Sequence, residues 1–320
     1  MVSIDAATAL ARVDERISEA IQVWERTRRP IREHLSSIDA MLEAAVRPSY
    51  IGQGLIAITA SLSPIVLSCP HGALEEAEGY LPRPRSSPAD HLARYITYRA
   101  MLLLQSRGSV PPSSISLRVH RKYVEVNTPP ELACHDPRLQ QAYHAYYAQL
   151  GPLLEHAAAI GGSAFLLDVH GFDPETAMVT HPAASRTILE HDVIFGTANR
   201  ATVKGTALDI RLGQLFSQEG LRTYVPVSCH RDGEVYDGGR IVRSVIDQPH
   251  PAVAVQIEIN MRHRATYEAA NVFADRFARV LEGLDAELRQ GAASSYGSRQ
   301  PPAFDGIPPP PAARTSLGRS

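Results

Sequence analysis

The sequence predicts a three-layer α/β/α fold with a central mixed, mostly parallel sheet and an N-terminal helical extension. Short apolar runs rich in β-branched residues alternate with longer amphipathic segments, a pattern typical of sheets that carry helices on both faces. Hydrophobic residues make up 44% and charged residues 21% of the 320 positions, as in ordinary globular proteins. This length suits one large α/β domain with an extension.

The N-terminal extension is predicted to be a helical hairpin over residues 1–48. Pro30 interrupts the helical pattern and divides the segment into two helices. No residue pattern in it indicates chemistry, so we expect it to serve packing or homo-oligomer contacts. The apolar residues that recur at roughly helical spacing are Ile4, Leu10, Val13, Ile17, Ile21 and Trp24.

Strands and helices alternate over residues 49–291, which we predict to be a single catalytic domain. One helix is expected to begin at the possible N-cap Asp90 and to end at Gly108, and another to begin near Asp136 and to end at Gly161 and Gly162. Two more are predicted in GTALDIRLGQLFSQEG and TYEAANVFADRFARVLEGLDAELRQG. The predicted strands are GLIAITASL, PIVLSCP, SISLRVHRKYVEVN (one long strand or a pair), SAFLLDVHG, VIFGT, RTYVPVSC and VAVQIEIN.

The C-terminal segment, residues 292–320, has a different composition from the rest of the chain. It is rich in Ser, Gly and Pro and contains the run GIPPPPAARTSLGRS. Such a segment cannot bury enough apolar surface to order itself. We therefore predict a flexible tail.

Charge and cysteine content exclude several classes of protein. The net charge is -2 and no long basic run is present, so neither nucleic acid nor an anionic membrane is an expected partner. No apolar stretch approaches the roughly 20 residues that a membrane span needs, and the N-terminus lacks an apolar signal core. The three cysteines, Cys69, Cys134 and Cys229, are widely spaced and form no disulfide framework. A cytoplasmic location is predicted.

Ionisable residues occur at the ends of three predicted strands. His71 follows the first, with Glu75 close behind; His170 ends the second; and Glu258 lies within the third. In open α/β sheets ligands bind beyond the carboxyl ends of strands, so these side chains are expected to converge. Asp168 lies two residues before His170, on the same face of its strand.

Two histidines and one carboxylate can hold a catalytic zinc ion and leave a coordination position open. A further carboxylate could then move protons, and Glu258 suits this role because an apolar strand would raise its pKa. Each signal is weak alone. A histidine after a strand is more often a surface or capping residue, and a strand glutamate could pair with an arginine. The His71–Glu75 spacing is also not the helical zinc motif.

Six segments in order resemble the N-formylglutamate amidohydrolase family, which is similar in fold to carboxypeptidase A-type zinc hydrolases. The resemblance covers about residues 51–285, and its strength lies in the order of the segments, since none is specific alone. The segments are LSCPHGALEEAEGYLP, HRKYVEVN, LLDVHGF, DVIFGT, VYDGGRIV and AVQIEINMRHR.

The resemblance implies a role for each matching position. His71 and His170 would be zinc ligands, with Glu75 as the carboxylate ligand and Glu76 as its alternative. Glu258 would be the general base and acid. Arg121 would polarise the scissile carbonyl and hold the oxyanion. Asp168 would orient a ligand histidine. The residues that would contact substrate are Asn127, His230, Asp237, Gly238, Gly239 and Arg240.

Two positions depart from the family pattern. Thr128 stands where the family usually has an arginine suited to a substrate carboxylate, and Glu125 replaces the usual aspartate. Both changes weaken the case for N-formylglutamate itself as the substrate. Another polar substrate, bound by Arg231, Arg240 or Arg243, fits at least as well.

The sequence therefore predicts a zinc-dependent amidohydrolase that cleaves the amide of a small N-formyl or other N-acyl amino compound. Deformylation is the reaction that the resemblance implies. A metallopeptidase acting on a small peptide or peptide natural product is the first alternative. A non-catalytic binding protein of the same fold is the second, although His71, His170 and Glu258 would then have no reason to be retained.

Overall fold

A computed structural model of the chain describes residues 5–27, 32–84, 88–226, 235–248 and 251–295. Within these ranges, eight strands form one sheet in the order β1-β2-β4-β3-β5-β8-β6-β7. The strands are β1 (Ser49–Ile51), β2 (Ile56–Thr59), β3 (Ile65–Cys69), β4 (Ser113–Leu117), β5 (Ala164–Phe172), β6 (Val193–Gly196), β7 (Thr223–Tyr224) and β8 (Ala252–Asn260).

The sheet is mixed, with a parallel centre. Strands β4, β3, β5 and β8 are mutually parallel neighbours, and β6 pairs with β7 in the same sense. Antiparallel pairing occurs where β1, β2 and β6 are added toward the edges. This arrangement confirms the predicted sheet, and it brings the carboxyl ends of β3, β4, β5 and β8 to the same edge.

Helices cover both faces of the sheet and complete the predicted three layers. One hydrophobic core joins the sheet to α1, α2, α3, α8 and α10, and a second joins its other face to α5 and α9. No helix in the described ranges is long and apolar enough to cross a membrane. The helices are α1 (Ala6–Thr27), α2 (Arg32–Val46), α3 (Ala93–Ser106), α4 (Pro130–Ala133), α5 (Gln140–Gly161), α6 (Pro174–Thr180), α7 (Ser185–Glu190), α8 (Leu208–Gln218), α9 (Arg240–Arg243) and α10 (Tyr267–Ser295).

Strand β5 shows why these residues form a central strand. Phe165 and Leu167 pack into one hydrophobic core, while Ala164 and Leu166 pack into the other. A strand buried on both faces reads as a continuous apolar run, as parallel strands in α/β proteins do. Polar residues appear only toward its carboxyl end.

The N-terminal hairpin packs on the catalytic part of the chain. Leu10 and Ile17 of α1 and Ile38 and Leu42 of α2 belong to the same hydrophobic core as α3 and the sheet. The hairpin thus shares a core with the sheet. Its predicted boundary at residue 48 and its role in oligomer contacts remain predictions.

Two local predictions differ from the structure. Strand β4 ends at Leu117, and turns occupy the rest of the segment that was expected to be extended. Helix α3 has Leu92 at its N-cap position, in the left-handed conformation, and no side chain caps it. Asp90 makes contacts with two histidines instead. Helix α10 continues to Ser295, past residue 292, where the tail is predicted to begin; residues 296–320 lie outside the described ranges.

Replacing Leu42 with Ala should destabilise the whole fold, because Leu42 is fully buried in the core shared with the sheet. Such a deletion typically costs about 2–5 kcal/mol. Urea unfolding followed by the fluorescence of an added probe on the sheet would measure it. The control is Val179→Ala, at a side chain 82% exposed. An unchanged unfolding midpoint in the Leu42 variant would mean that the hairpin folds independently.

Candidate metal centre

The carboxyl ends of the parallel strands bring four ionisable side chains to one place. His71 follows β3 directly, while His170 and Glu258 lie near the ends of β5 and β8. The last two are paired neighbours across the strands. Asp90 reaches the same place from the segment that precedes α3. Parallel strands end at the same edge of a sheet, which explains why residues so distant in sequence meet here.

His71, Asp90 and His170 form a compact buried group. The two Nδ1 atoms of His71 and His170 lie 3.0 Å apart. Asp90 Oδ2 lies 3.1 Å from the His170 Nδ1 atom and 3.5 Å from that of His71. The potential ligand atoms of the three residues all lie within 4.8 Å of one another. Two imidazole nitrogens and a carboxylate oxygen are a donor set that catalytic zinc sites use.

Each histidine is oriented by a second buried carboxylate. His71 Nε2 lies 2.6 Å from Glu125 Oε1, and His170 Nε2 lies 2.8 Å from Asp168 Oδ2. When Nε2–H donates to a carboxylate, Nδ1 is left with its lone pair toward the centre of the group. Carboxylates behind ligand histidines fix the ring and its tautomer in this way in metalloproteins. The side chains therefore fit a divalent metal ion.

The Asp168 carboxylate is itself held by a chain of two hydroxyl groups. Ser68 Oγ donates to Asp168 Oδ1 at 2.5 Å and shares a hydrogen bond of 2.8 Å with the Tyr146 hydroxyl. All three side chains are buried. The predicted contact between Asp168 and His170 is present, and α5 supplies its support through Tyr146.

Arg121 lies beside the group and is anchored by Glu125. Its Nε and Nη2 atoms donate to Glu125 Oε2 at 2.9 and 2.5 Å, and Nη1 lies 3.6 Å from Asp90 Oδ1. Burial alone would raise the pKa of Glu125, but His71 and Arg121 outweigh it and the pKa is strongly lowered. Glu125 is thus a carboxylate that fixes both an imidazole and the guanidinium next to it.

The charges around the group favour a cation at its centre. Burial disfavours the charged form of His170, yet Asp168 and Asp90 together raise its pKa well above the ordinary value. Burial likewise opposes ionisation of Asp90, but hydrogen bonds from His170 and His71 hold its pKa well below the usual range. The site is therefore built around negative charge that requires a positive partner.

Glu258 has a different environment from the other acids. Its Oε1 atom accepts a hydrogen bond of 2.7 Å from Gln256 Nε2, and the carboxyl group is buried. Burial raises its pKa to about 7, although the positive charge of His170 partly opposes this. A carboxyl group with that pKa can both accept and return a proton near neutral pH.

A cavity of about 390 Å³ opens above these residues. His71, Asp90, Arg121, His170 and Glu258 lie along it. A volume of this size accommodates a small molecule. The outer wall is formed by Pro88, Ala89, Phe172, Asp173, Thr176, Ala177, Thr180, Tyr236, Met261 and Arg264.

Comparison with known proteins shows a family similarity over part of the chain. Residues 126–265 match the model of the N-formylglutamate amidohydrolase family, which is less than half of the chain but includes His170, Glu258 and Asn127. This segment is thus similar to the N-formylglutamate amidohydrolase family, as predicted from the sequence. His71, Asp90 and Arg121 lie before the matched segment.

One solved structure shows a similar fold. The crystal structure of N-formylglutamate amidohydrolase from Ralstonia eutropha JMP134 is 14% identical, with a TM-score of 0.52, and the match covers 74% of this chain and 99% of that one. A gene product of Agrobacterium tumefaciens is 17% identical, with a TM-score of 0.47, over 75% of this chain and 94% of its own. No curated protein sequence matches the chain.

The structure does not bring Glu75 into the group of His71, Asp90 and His170. Glu75 Oε1 accepts a hydrogen bond of 2.5 Å from Arg94, and its side chain is 38% exposed. Its alternative, Glu76, binds Lys122 and the Tyr123 hydroxyl. The acid that meets the two histidines is Asp90. The predicted assignment of Glu75 as a ligand thus has no support from this geometry.

Asn127 and the glycine pair form a structural unit beside the cavity. Asn127 lines the cavity, and its Oδ1 atom accepts a hydrogen bond from Ile241 N at 3.1 Å. Gly239 N donates to Gln256 Oε1 at 3.0 Å, and a Cβ atom at Gly239 would lie 2.1 Å from the Asn127 amide. Gly238 has φ of +70°, which favours glycine. This unit also holds Gln256, the partner of Glu258.

Within the described part of the chain, the other residues predicted to bind substrate do not lie together. Asp237 is 68% exposed and pairs with Arg243. Arg240 lies over the Tyr147 ring, with 5.7 Å between its guanidinium carbon and the ring centroid. His230 lies outside the described residues. Their roles in substrate binding remain predictions.

Sequence reasoning missed three residues of the site. Asp90 was interpreted as a helix cap, Glu125 as a departure from the family pattern, and Arg264 as a residue of the rim or of solvent. Arg264 is 1% exposed and donates hydrogen bonds to the carbonyl groups of Ile259, His91 and Phe172. An acid four residues after Arg121 was a usable signal for Glu125, whereas nothing in the sequence distinguishes Asp90 from a cap.

Glu258→Gln should stabilise the metal-free protein at pH 8 more than at pH 5. The pKa of Glu258 is raised from 4.5 to about 7 in the folded state. Between pH 4.5 and about 7 this carboxyl group is ionised in the unfolded chain but still protonated in the folded protein. The free energy of unfolding therefore falls as the pH rises through this window, by on the order of 3 kcal/mol. Glutamine does not ionise and escapes this loss.

Thermal unfolding in excess chelator at the two pH values measures this difference. Glu131→Gln, at an exposed position, is the control and should change neither midpoint. An equal effect of the Glu258 substitution at both pH values would show that this carboxyl group has an ordinary pKa.

Proposed function

We propose that this chain is a zinc-dependent amidohydrolase that hydrolyses the amide of a small N-formyl or other N-acyl amino compound. The observation that carries the proposal is the orientation of the two histidines. Glu125 and Asp168 hold their Nε2 atoms, so that both Nδ1 atoms and Asp90 Oδ2 face one point. The similarity of residues 126–265 to an amidohydrolase family supports the same chemistry.

His71, Asp90 and His170 would hold the zinc ion. Zinc at this position supplies a Lewis acid that acidifies water and polarises a carbonyl group. Three protein ligands leave a coordination position open, as catalytic sites do. Asp90 therefore replaces Glu75 in the proposed ligand set.

Glu258 is proposed to move the proton. It accepts one proton from the attacking water and delivers it to the nitrogen of the departing amine, so that the products are a carboxylic acid and an amine. Its pKa of about 7 suits both transfers. Gln256 fixes one carboxyl oxygen at 2.7 Å, which keeps the group facing the cavity that it lines.

Arg121 is proposed to stabilise the negative charge that develops on the carbonyl oxygen. Glu125 binds its Nε and Nη2 atoms, so its orientation is fixed before substrate arrives. A preorganised cation needs no reorganisation during the reaction. Both Arg121 and the metal group line the same cavity.

The proposed substrate is a small molecule, as the cavity volume of about 390 Å³ suggests. The free thiols of Cys69 and Cys134 are compatible with the proposed cytoplasmic location. A metallopeptidase remains the alternative enzyme, since it would use the same groups. A binding protein of the same fold without activity is the second alternative.

The purified protein should contain about one zinc per chain, and His170→Ala should lose it, because one of the three ligands is removed. Glu258→Gln should keep zinc and reduce turnover by at least about 100-fold. Elemental analysis and an amide-hydrolysis assay measure the two properties. His135→Ala and Glu131→Gln, at exposed positions, are the controls. Full turnover in the Glu258 variant would exclude it as the base.

A panel of N-formyl amino acids, N-acetyl amino acids and dipeptides should distinguish the two enzyme classes. The proposed function predicts release of formate or acetate, whereas a peptidase would release free amino acids from the dipeptides. Chromatography of the products measures both. The Glu258→Gln protein is the control for background hydrolysis. Release of amino acids from dipeptides alone would favour the peptidase.

A further inference from the structure

Arg94 connects the N-terminal hairpin to the loop that carries His71. It lies in the first turn of α3 and its side chain is 1% exposed. Its Nη2 atom donates to Asp39 Oδ2 of α2 at 3.0 Å and to Glu75 Oε1 of the loop at 2.5 Å. One buried guanidinium nitrogen thus holds an acid from each of two separate parts of the chain.

These two acids compensate the buried charge of Arg94. The Nε and Nη1 atoms of Arg94 have no hydrogen-bond partner among the described residues. A buried charge is costly unless it is paired. Without Asp39, the guanidinium would keep only Glu75, whose side chain is 38% exposed. The position of Arg94 therefore depends on the hairpin.

The loop also packs directly against the start of α3. A Cβ atom at Gly72 would lie 2.5 Å from Arg94 N, so only glycine allows this approach. Asp90 N donates to the carbonyl oxygen of His71 at 2.9 Å. The segment that carries Asp90 and Arg94 is thus in contact with the loop at His71, Gly72 and Glu75.

We propose that Asp39 is a positioning residue for the metal centre. Through Arg94 it holds Glu75, and it thereby fixes the loop that presents His71 to Asp90 and His170. This inference rests on the proposed function, because zinc is the group that the loop helps to bind. It gives the N-terminal hairpin a role in metal affinity in addition to its role in packing.

Asp14 and Arg99 provide a matched comparison. Arg99, also on α3, donates to the two carboxylate oxygens of Asp14 on α1 at 2.8 and 3.1 Å. This pair joins the same hairpin to the same helix but does not include the metal loop. Removing the Asp14–Arg99 pair shows the effect of losing a contact between the hairpin and α3 that does not involve the loop of His71.

Competition with a zinc chelator should show weaker binding in Asp39→Asn than in the native protein, by about 5–10-fold. This loss of zinc affinity is at or below the lower end of the range for residues that orient metal ligands directly, because Asp39 acts through Arg94 and Glu75. Asp14→Asn should bind zinc like the native protein. Glu75→Gln should match Asp39→Asn, and the double variant should be no weaker than either, since all of them remove one connection.

Several results would overturn the inference. Equal zinc affinity in Asp39→Asn, Asp14→Asn and the native protein would show that the contact only stabilises the fold. A much greater loss in Glu75→Gln than in Asp39→Asn would make Glu75 a direct ligand. A native protein that binds no zinc would instead refute the proposed function, and this inference with it.

Hydrogen exchange in the native protein tests the same connection and needs no variant. Coupling between two sites is reciprocal, so zinc should slow amide exchange in α2 around Asp39. Amides of α1 around Asp14 should be unaffected. Zinc-dependent protection confined to the strand ends and the His71 loop would contradict the proposed role of the hairpin.

Discussion

The site depends on two hydrogen bonds between imidazole rings and buried carboxylates. Glu125 holds His71 and Asp168 holds His170, and these contacts decide which nitrogen of each ring faces Asp90. Burying so many acids in one place is unfavourable unless cations accompany them. Arg121 supplies one such charge, and the remaining negative charge defines where a metal ion fits.

The acids of the site differ in function because their surroundings differ. Asp90, Asp168 and Glu125 each contact an imidazole directly, whereas Glu258 accepts a hydrogen bond from the neutral amide of Gln256. Desolvation without a directly bonded cation raises the pKa of Glu258 to about 7. The fold thus separates carboxylates that contact imidazole rings from one with a pKa near neutrality within a single site.

The parallel strands and the helices around them hold these groups rigidly. Strands β3, β5 and β8 deliver the two histidines and Glu258, and α5 supports Asp168 from beneath through Tyr146 and Ser68. On the opposite face, α3 carries Arg94 and is covered by the N-terminal hairpin. Each of the two histidines is therefore held by a carboxylate behind it, as metal sites require for a defined geometry.

The sequence by itself determined the layers, the family resemblance and the strand-end residues, because apolar periodicity and the position of His71, His170 and Glu258 are local properties. It could not assign Asp90, since an acid before a helix has the same local pattern whether it caps the helix or contacts histidines 19 residues before and 80 residues after it. Only the tertiary structure decided between Asp90 and Glu75. Arg94 forms an ion pair with Glu75, and Asp90 is therefore the acid that lies beside the two imidazoles.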